Sequence, residues 1–192
     1  MKVLIVFTHP NTSSFNHALL DNVSNGLKQA GHEVKVKNLY QENFNPVLDA
    51  NDLSGLHQEQ IPERITKEQE QLLWADGLVF IYPLWWYSPP AMLKGWFDVV
   101  LSNGVAFEYS DKGVKGLLQH KKALVLITAG STEDYFNKND SVEISYRPLT
   151  EGTLGFCGIE NISHHIYYDI GGGTDEKRAE ILNQAEQFGI NF

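Results

Sequence analysis

Short apolar runs that alternate with helical patterns constrain the fold of this chain more than any other feature. The runs "LVFIY" at 78–82 and "ALVLIT" at 123–128 are almost continuously apolar, which is typical of strands buried on both faces of a parallel sheet. Between such runs, Leu20, Val23 and Leu27 recur at helical spacing. The alternation predicts an α/β fold in which helices connect parallel strands and cover both faces of the sheet.

Five strands and five helical segments follow one another in this order. The predicted strands are Lys2–Phe7, Glu33–Lys37, Gly77–Tyr82, Lys122–Thr128 and Asn161–Tyr167. The predicted helices are Asn16–Ala30, Pro62–Ala75, Ala91–Leu101, a helix within Ser141–Cys157, and Asp175–Phe188. We expect one domain over residues 1–192, because a chain of this length buries one sizeable core and shows no linker.

Composition argues against several classes of function. The net charge is −9 and the pI is near 5.2, whereas a nucleic-acid partner usually needs a basic face. Cys157 is the only cysteine, which excludes an intramolecular disulfide and a cysteine metal cluster. His164 and His165 are adjacent in a predicted strand and face opposite sides, so no metal site is predicted there. No apolar stretch approaches the roughly 18 residues of a membrane span and no basic leader is visible, so we expect a cytoplasmic protein.

In a doubly wound sheet, ligands bind beyond the carboxyl ends of the strands, where the strand order reverses. The loops after the first, third and fourth predicted strands read "THPNTSSFN", "YPLWWYSPP" and "TAGSTEDYF". The first loop leads into a helix N-terminus, where backbone N–H groups and the helix dipole favour an anion. The hydroxyls of Thr12, Ser13 and Ser14, together with His9, could add donors to phosphate oxygens. Ordinary helix capping by these side chains is the alternative.

The second loop brings together Trp85, Trp86 and Tyr87. Their flat, polarizable faces suit an aromatic ligand, and the flanking prolines stiffen the backbone around them. A cluster in the core or at a dimer interface is the alternative. The aromatic loop supports phosphate binding over simple capping at the first loop, because both loops end at the same edge of the predicted sheet.

The sequence resembles the NAD(P)H:quinone oxidoreductases of the DT-diaphorase type, including shorter bacterial relatives. The motifs that carry the resemblance run in one order from Lys2 nearly to the C-terminus: "THPNTSSFN", "LYQENFNP", "YPLWWYSPPAMLKGWFD", "DKG", "LITAG" and "GFCG". The resemblance implies a flavodoxin-like, doubly wound five-stranded parallel sheet of order 2-1-3-4-5 with helices on both faces. It also implies a homodimer with one flavin at each active site.

The same resemblance implies roles for particular residues. The implied cofactor-binding residues are His9, Ser14, Phe15, Asn16, Pro83, Leu84, Trp85, Trp86, Thr128, Ala129, Gly130, Tyr135 and Arg178. The Gly130 region's backbone N–H groups and the Tyr135 hydroxyl are the predicted catalytic donors, placed where negative charge develops on the flavin. The implied substrate-binding residues are Trp86, Tyr87, Phe107 and Tyr109, the last two reaching across from the partner subunit.

Departures from the family pattern affect the mechanism and the cofactor. Asn139 is the nearest positional match to a family histidine that would relay a proton to Tyr135, and Trp85 replaces a glutamine. The segment Asp49–Pro62 is shorter than the insertion that helps to hold adenine in larger relatives, so FMN is an alternative cofactor. Arg178 and the "SSFN" sequence favour FAD.

The predicted reaction follows from flavin chemistry. A flavin takes hydride from NADH or NADPH and passes it to an acceptor, which predicts ping-pong reduction of quinones or of nitro and azo compounds. One alternative is a regulatory flavoprotein resembling the ancillary subunits of bacterial glutathione-gated potassium efflux systems, which would dock on a membrane transporter. Another is an electron carrier like flavodoxin, but the Trp85–Trp86 region favours a pocket over a bare flavin edge.

Overall fold

The computed structural model describes residues 1–58 and 60–192. In these residues the strands are β1 (Lys2–Phe7), β2 (Glu33–Asn38), β3 (Gly77–Pro83), β4 (Phe107–Ser110), β5 (Gly113–Gly116), β6 (Lys122–Thr128) and β7 (Ile162–Tyr167). Five of them form a parallel sheet in the order β2-β1-β3-β6-β7, and β4 and β5 form a separate antiparallel pair. The predicted flavodoxin-like order 2-1-3-4-5 is confirmed, with β6 and β7 as the fourth and fifth strands of the sheet.

Helices connect the strands of the sheet, and they include four of the five helices predicted from the sequence. They are α1 (Phe15–Gln29), α2 (Ala50–His57), α3 (Glu63–Trp74), α4 (Ala91–Val100), α5 (Glu133–Lys138), α6 (Arg147–Leu149) and α7 (Asp175–Ile190). The segment predicted to hold one helix is instead a 3-10 turn at Glu143–Ser145, then α6, then a π-helical stretch at Thr150–Gly155. Pro148 accounts for the break, because it lacks a backbone N–H and is tolerated only near a helix start.

Each face of the sheet packs against its own layer of helices. Leu4, Val6 and Phe80 point into a core that contains residues of α3 and α4. Val3 and Ile5, at the alternate positions of β1, point into a second core with residues of α1 and α7. Because both faces are buried, the strands are apolar at successive positions rather than at every second one. The predicted helices on both faces are therefore confirmed.

Two glycines bring α1 and α7 into backbone contact. A Cβ added to Gly26 would lie 2.1 Å from the Glu186 carbonyl oxygen, and one added to Gly189 would lie 2.4 Å from the Val23 carbonyl oxygen. Neither distance is compatible with a side chain in this packing. The close approach fixes the position of α1, and with it the helix N-terminus that follows β1.

The described residues contain no helix long and apolar enough to cross a membrane.

His164 stacks on Tyr146 with ring centroids 3.7 Å apart, and His165 stacks on Phe188 at 4.0 Å. The two imidazoles therefore lie on opposite faces of β7, as alternation along a strand predicts. Nowhere in residues 1–58 and 60–192 do three or more His, Cys, Asp or Glu side chains gather as a metal would require.

Gly26→Ala should destabilise the protein. A glycine-to-alanine change in a helix usually stabilises it by roughly 0.5–1 kcal/mol, but the added methyl here would collide with α7 and should lower the free energy of unfolding by about 1–3 kcal/mol. Chemical denaturation measures the difference. Gly152→Ala is the matched control, because a Cβ there would meet only the Arg147 carbonyl oxygen at 3.9 Å. A Gly26→Ala protein as stable as the control would contradict the close packing.

Candidate functional site

The loop between β1 and α1 combines a helix cap with a neutral histidine. The Ser14 side chain accepts a hydrogen bond from the His17 backbone N–H at 3.4 Å and so caps α1, while the Thr12 and Ser13 side chains are exposed. The backbone N–H of Asn11 lies 3.1 Å from His9 Nδ1. Burial lowers the pKa of His9 below its ordinary value, the Asn11 backbone opposes this shift and His17 adds to it. His9 is therefore neutral near pH 7, and its Nδ1 lies within hydrogen-bond distance of both the N–H and the carbonyl oxygen of Asn11.

Thr128, at the end of β6, connects this loop to the one after β3. Asn16 Nδ2 donates to Thr128 Oγ1 at 2.8 Å, and the Leu84 backbone N–H donates to the Thr128 carbonyl oxygen at 2.7 Å. Three residues predicted from the sequence to bind the cofactor are thus joined directly. Asn16 Oδ1 and Thr8 Oγ1 are buried and have no hydrogen-bond partner among the described residues. The Asn16 carbonyl oxygen can accept a hydrogen bond and the Thr8 hydroxyl can donate or accept one, and neither capacity is used within the described residues.

The turn after Leu84 has an uncommon backbone for its sequence. The N–H of Trp85 donates to the Ser88 carbonyl and the N–H of Ser88 to the Trp85 carbonyl, both at 3.0 Å. The two central residues, Trp86 and Tyr87, have φ of 53° and 56°, as in a type I′ turn. Such φ values cost residues other than glycine roughly 1–2 kcal/mol each, so this turn is strained. Trp86 is 96% exposed and gains almost no packing in return.

Aromatic rings join the three strand-end loops. His9 lies against Trp85, with ring centroids 6.3 Å apart. The Tyr87 ring meets Phe136 edge-on at 5.7 Å, and the Tyr135 ring meets the same phenylalanine edge-on at 6.0 Å. The neighbouring Tyr87 hydroxyl raises the pKa of Tyr135 above its ordinary value, so the Tyr135 phenol is protonated throughout the neutral range. The edge thus presents a row of aromatic surfaces with hydroxyl donors at one end.

The segment after Thr128 leaves open space at this edge. The Ala129 N–H donates to the Tyr167 carbonyl at 2.8 Å, which holds the segment beside β7. A Cβ added to Gly130 would meet nothing within 4 Å, and its φ is not positive. Neither the packing nor the backbone of the chain therefore requires glycine at position 130. The chain itself therefore leaves the space around a Cβ at position 130 unfilled.

Three further residues implied to bind the cofactor lie at the end of β3, in the first turn of α1 and at the start of α7. Pro83 is buried at the end of β3, and Phe15 is half-buried in the first turn of α1. Arg178 Nη1 donates to the carbonyl oxygens of Ile170 and Gly173, and its Nη2 lies 2.6 Å from Asp175. Within this chain, the Arg178 guanidinium therefore organises the loop before α7.

Phe107 and Tyr109 lie in β4, apart from the strand-end loops. Phe107 packs on Phe156 with ring centroids 5.3 Å apart, and Tyr109 is 71% exposed.

Asn139 Nδ2 donates to the Tyr135 carbonyl oxygen at 2.7 Å and so closes the end of α5. Sequence reasoning missed α5, although Thr132 followed by Glu133 and Asp134 is a helix-start pattern and Thr132 does cap the helix.

Trp86→Asn should stabilise the protein, because asparagine tolerates the left-handed backbone and the exposed indole contributes little packing. We expect the free energy of unfolding to rise by about 0.5–1 kcal/mol. Thermal denaturation of Trp86→Asn and Trp86→Ala compares the stabilities of the two variants. Both lack the indole, but only asparagine tolerates positive φ, so the difference between them measures the backbone strain. Equal stability of the two variants would argue against strain in the turn.

Comparisons with known proteins agree with the fold. A family model described as "Flavodoxin-like fold" matches residues 1–188. An uncharacterized NAD(P)H oxidoreductase of Haemophilus influenzae is 35% identical over 97% of this chain and 93% of its own. NAD(P)H dehydrogenase [quinone] 1 of Cavia porcellus is 32% identical over 94% of this chain and 73% of its own. The solved NAD(P)H:quinone oxidoreductase of Methanothermobacter marburgensis is 36% identical, with a TM-score of 0.88 over 100% of this chain and 96% of its own.

The family model covers nearly the whole chain, and the relatives exceed 30% identity over most of it. These matches confirm the resemblance seen in the sequence motifs. The chain belongs to the family of NAD(P)H:quinone oxidoreductases with a flavodoxin-like fold.

Proposed function

We propose that this protein is a flavin-dependent NAD(P)H:quinone oxidoreductase whose active site lies where the three strand-end loops meet. The observation that carries the proposal is the pair of hydrogen bonds from Asn16 and Leu84 to Thr128. These bonds hold a helix N-terminus suited to phosphate beside an aromatic turn suited to a planar ring. The relatives named above are oxidoreductases, which supports an enzyme over a regulatory flavoprotein.

The residues present fit a flavin. Its phosphates would lie at the start of α1, near the neutral His9 and the backbone of Ser14, Phe15 and Asn16. Its ring would lie along Pro83–Trp86 and beside the open space at Gly130. Arg178, fixed at the start of α7, would face the adenosine end, which supports FAD over FMN.

The bound flavin would supply hydride transfer, taking hydride from NAD(P)H and giving it to a quinone in a ping-pong cycle. The chain would bind both substrates in turn against Trp86 and Tyr87. Backbone N–H groups near Gly130 and the Tyr135 hydroxyl would donate hydrogen bonds at the polar edge where negative charge develops. Donors already in place stabilise such charge more than water does, because they need no reorganisation. Azo and nitro compounds are further candidate acceptors.

A homodimer would complete the substrate site. Tyr109 and Phe156 are 71% and 43% exposed, which is unusual for aromatic side chains that lie close together. Phe107 connects them, with ring centroids 5.5 Å from Tyr109 and 5.3 Å from Phe156. A second copy that covers this surface would bring Phe107 and Tyr109 to the flavin of the opposite subunit.

The purified protein should be yellow and should release one FAD per chain on denaturation, identified by chromatography. Gly130→Ala should reduce flavin affinity about tenfold or more, because its methyl would occupy the open space next to the ring. Gly152→Ala, remote from the loops, should bind flavin as the parent does. If the protein releases FMN, the proposed cofactor is FMN rather than FAD. If the protein takes up neither flavin, the proposal is wrong.

Tyr135→Phe should slow flavin reduction while leaving flavin content unchanged. A preorganised hydrogen bond in the transition state contributes up to about 3 kcal/mol, but Tyr135 is half exposed, so we expect roughly a three- to thirtyfold effect. Stopped-flow reduction by NADH and by NADPH measures the rate. An unchanged rate would leave the backbone donors near Gly130 as the source of stabilisation.

Mixed dimers would test the shared site. If Tyr135 of one subunit and Tyr109 of the other form one site, a heterodimer of Tyr135→Phe and Tyr109→Ala contains one intact and one doubly altered site. Its quinone reductase activity should recover to roughly half that of the parent dimer. Activity equal to the mean of the two variant homodimers would place both residues in the same subunit's site. Sedimentation of the fully active parent as a monomer would rule out the dimer.

A further inference from the structure

We propose that Phe136 is a positioning residue that holds the aromatic turn (residues 85–88) in place for substrate binding. This inference rests on the proposed function, in which both substrates bind against Trp86 and Tyr87. The turn carries these two side chains, and Phe136 contacts it from α5. Phe136 is only 4% exposed, so it would act on a substrate through the turn rather than by direct contact.

Phe136 is held by contacts that do not involve the aromatic turn. The ring of Tyr168, the first residue after β7, lies against the Phe136 ring with centroids 5.2 Å apart. The Phe136 carbonyl oxygen accepts hydrogen bonds from the Ser141 backbone N–H at 3.0 Å and from the Ser141 hydroxyl at 3.1 Å, and Ser141 is itself buried. Moving Phe136 would break these contacts and open space in a packed region, so its ring is a fixed support.

The aromatic turn meets this support through Tyr87. The Tyr87 and Phe136 rings lie edge to face, with centroids 5.7 Å apart and an interplanar angle of 67°, which is a favourable geometry for an aromatic pair. Trp86, the other central residue of the turn, is almost fully exposed and gains little from packing. The contact between Tyr87 and Phe136 therefore connects the central part of the turn to the packed interior of the protein.

Strain in the backbone makes this contact necessary. Trp86 and Tyr87 have φ of 53° and 56°, although neither is glycine or asparagine. The hydrogen bonds between Trp85 and Ser88 close the turn, but turns of other types close with the same kind of bond and without this strain. A strained backbone persists only where the surrounding structure enforces it. The packing of Tyr87 on Phe136 enforces it here, and so sets the position of both side chains that would meet a substrate.

Stability measurements on the full-length protein test this enforcement without depending on turnover. Trp86→Asn should lower the unfolding equilibrium constant about two- to fivefold, because asparagine tolerates positive φ. In Phe136→Leu the ring contact is lost and the turn can relax, so the same substitution should leave the constant nearly unchanged. Tyr87→Leu breaks the contact from its half-buried side, without altering the core, and should abolish the effect of Trp86→Asn as well.

Phe188→Leu is the matched control for these measurements. Phe188 lies in α7 and stacks on His165, so its loss removes a phenylalanine ring without touching the aromatic turn. In this background Trp86→Asn should keep its full effect on the unfolding constant, measured by chemical denaturation. An equal effect of Trp86→Asn in the parent, Phe136→Leu and Phe188→Leu proteins, or no effect in any of them, would overturn the inference.

Steady-state kinetics test the positioning of the substrate site. Phe136→Leu should raise the KM for a soluble naphthoquinone and for NAD(P)H about two- to tenfold, the range for losing one aromatic pair. Its kcat should change less, because a binding surface that loosens affects substrate and transition state alike, and its flavin content should match the parent's. Phe188→Leu should keep both KM values. Parent KM values in Phe136→Leu would overturn the inference and leave the proposed function intact, whereas a parent protein that reduces no quinone would overturn the proposed function itself.

Discussion

The site depends on the two hydrogen bonds that Thr128 accepts. Thr128 is 6% exposed, and its Oγ1 pairs with Asn16, which is 112 residues away in the sequence. A buried amide that loses its partner costs about 1–3 kcal/mol, so these bonds fix the loops more firmly than surface contacts would. The aromatic turn begins one residue after Leu84, and the first turn of α1 contains Asn16. Both elements of the proposed flavin site therefore take their positions from one threonine at the end of β6.

Much of the fold could be predicted because burial on both faces of the sheet leaves a strong pattern. All five strands of the sheet begin and end within one residue of the predicted bounds. The β4–β5 hairpin was missed, since its two strands have four residues each and are largely exposed, which leaves no apolar alternation to read. The helix α2 was missed as well, although Asp49 and Asp52 form a capping box at its start.

The composition of the site could be predicted better than its geometry. Strand-end placement identified the three loops, and the family resemblance implied cofactor roles for Asn16, Leu84 and Thr128 within them. The structure joins these three residues by direct hydrogen bonds. The type I′ turn could not be anticipated, because its positive φ values favour glycine and asparagine, whereas the chain has Trp86 and Tyr87 there. Local preference predicts the opposite backbone, and only tertiary contacts such as that with Phe136 explain what is observed.

The start of α1 differs in charge from the starts of α5 and α7. The helices α5 and α7 carry two acidic residues each in their first turn, and these already complement the helix dipole. The first turn of α1 has none, so its positive end stays available to an anionic ligand although the chain carries a net charge of −9. The donors around it are backbone N–H groups, hydroxyls and the neutral His9. Phosphate binding there would rest on dipoles rather than on paired charges, and salt would weaken it less than it weakens a lysine- or arginine-based site.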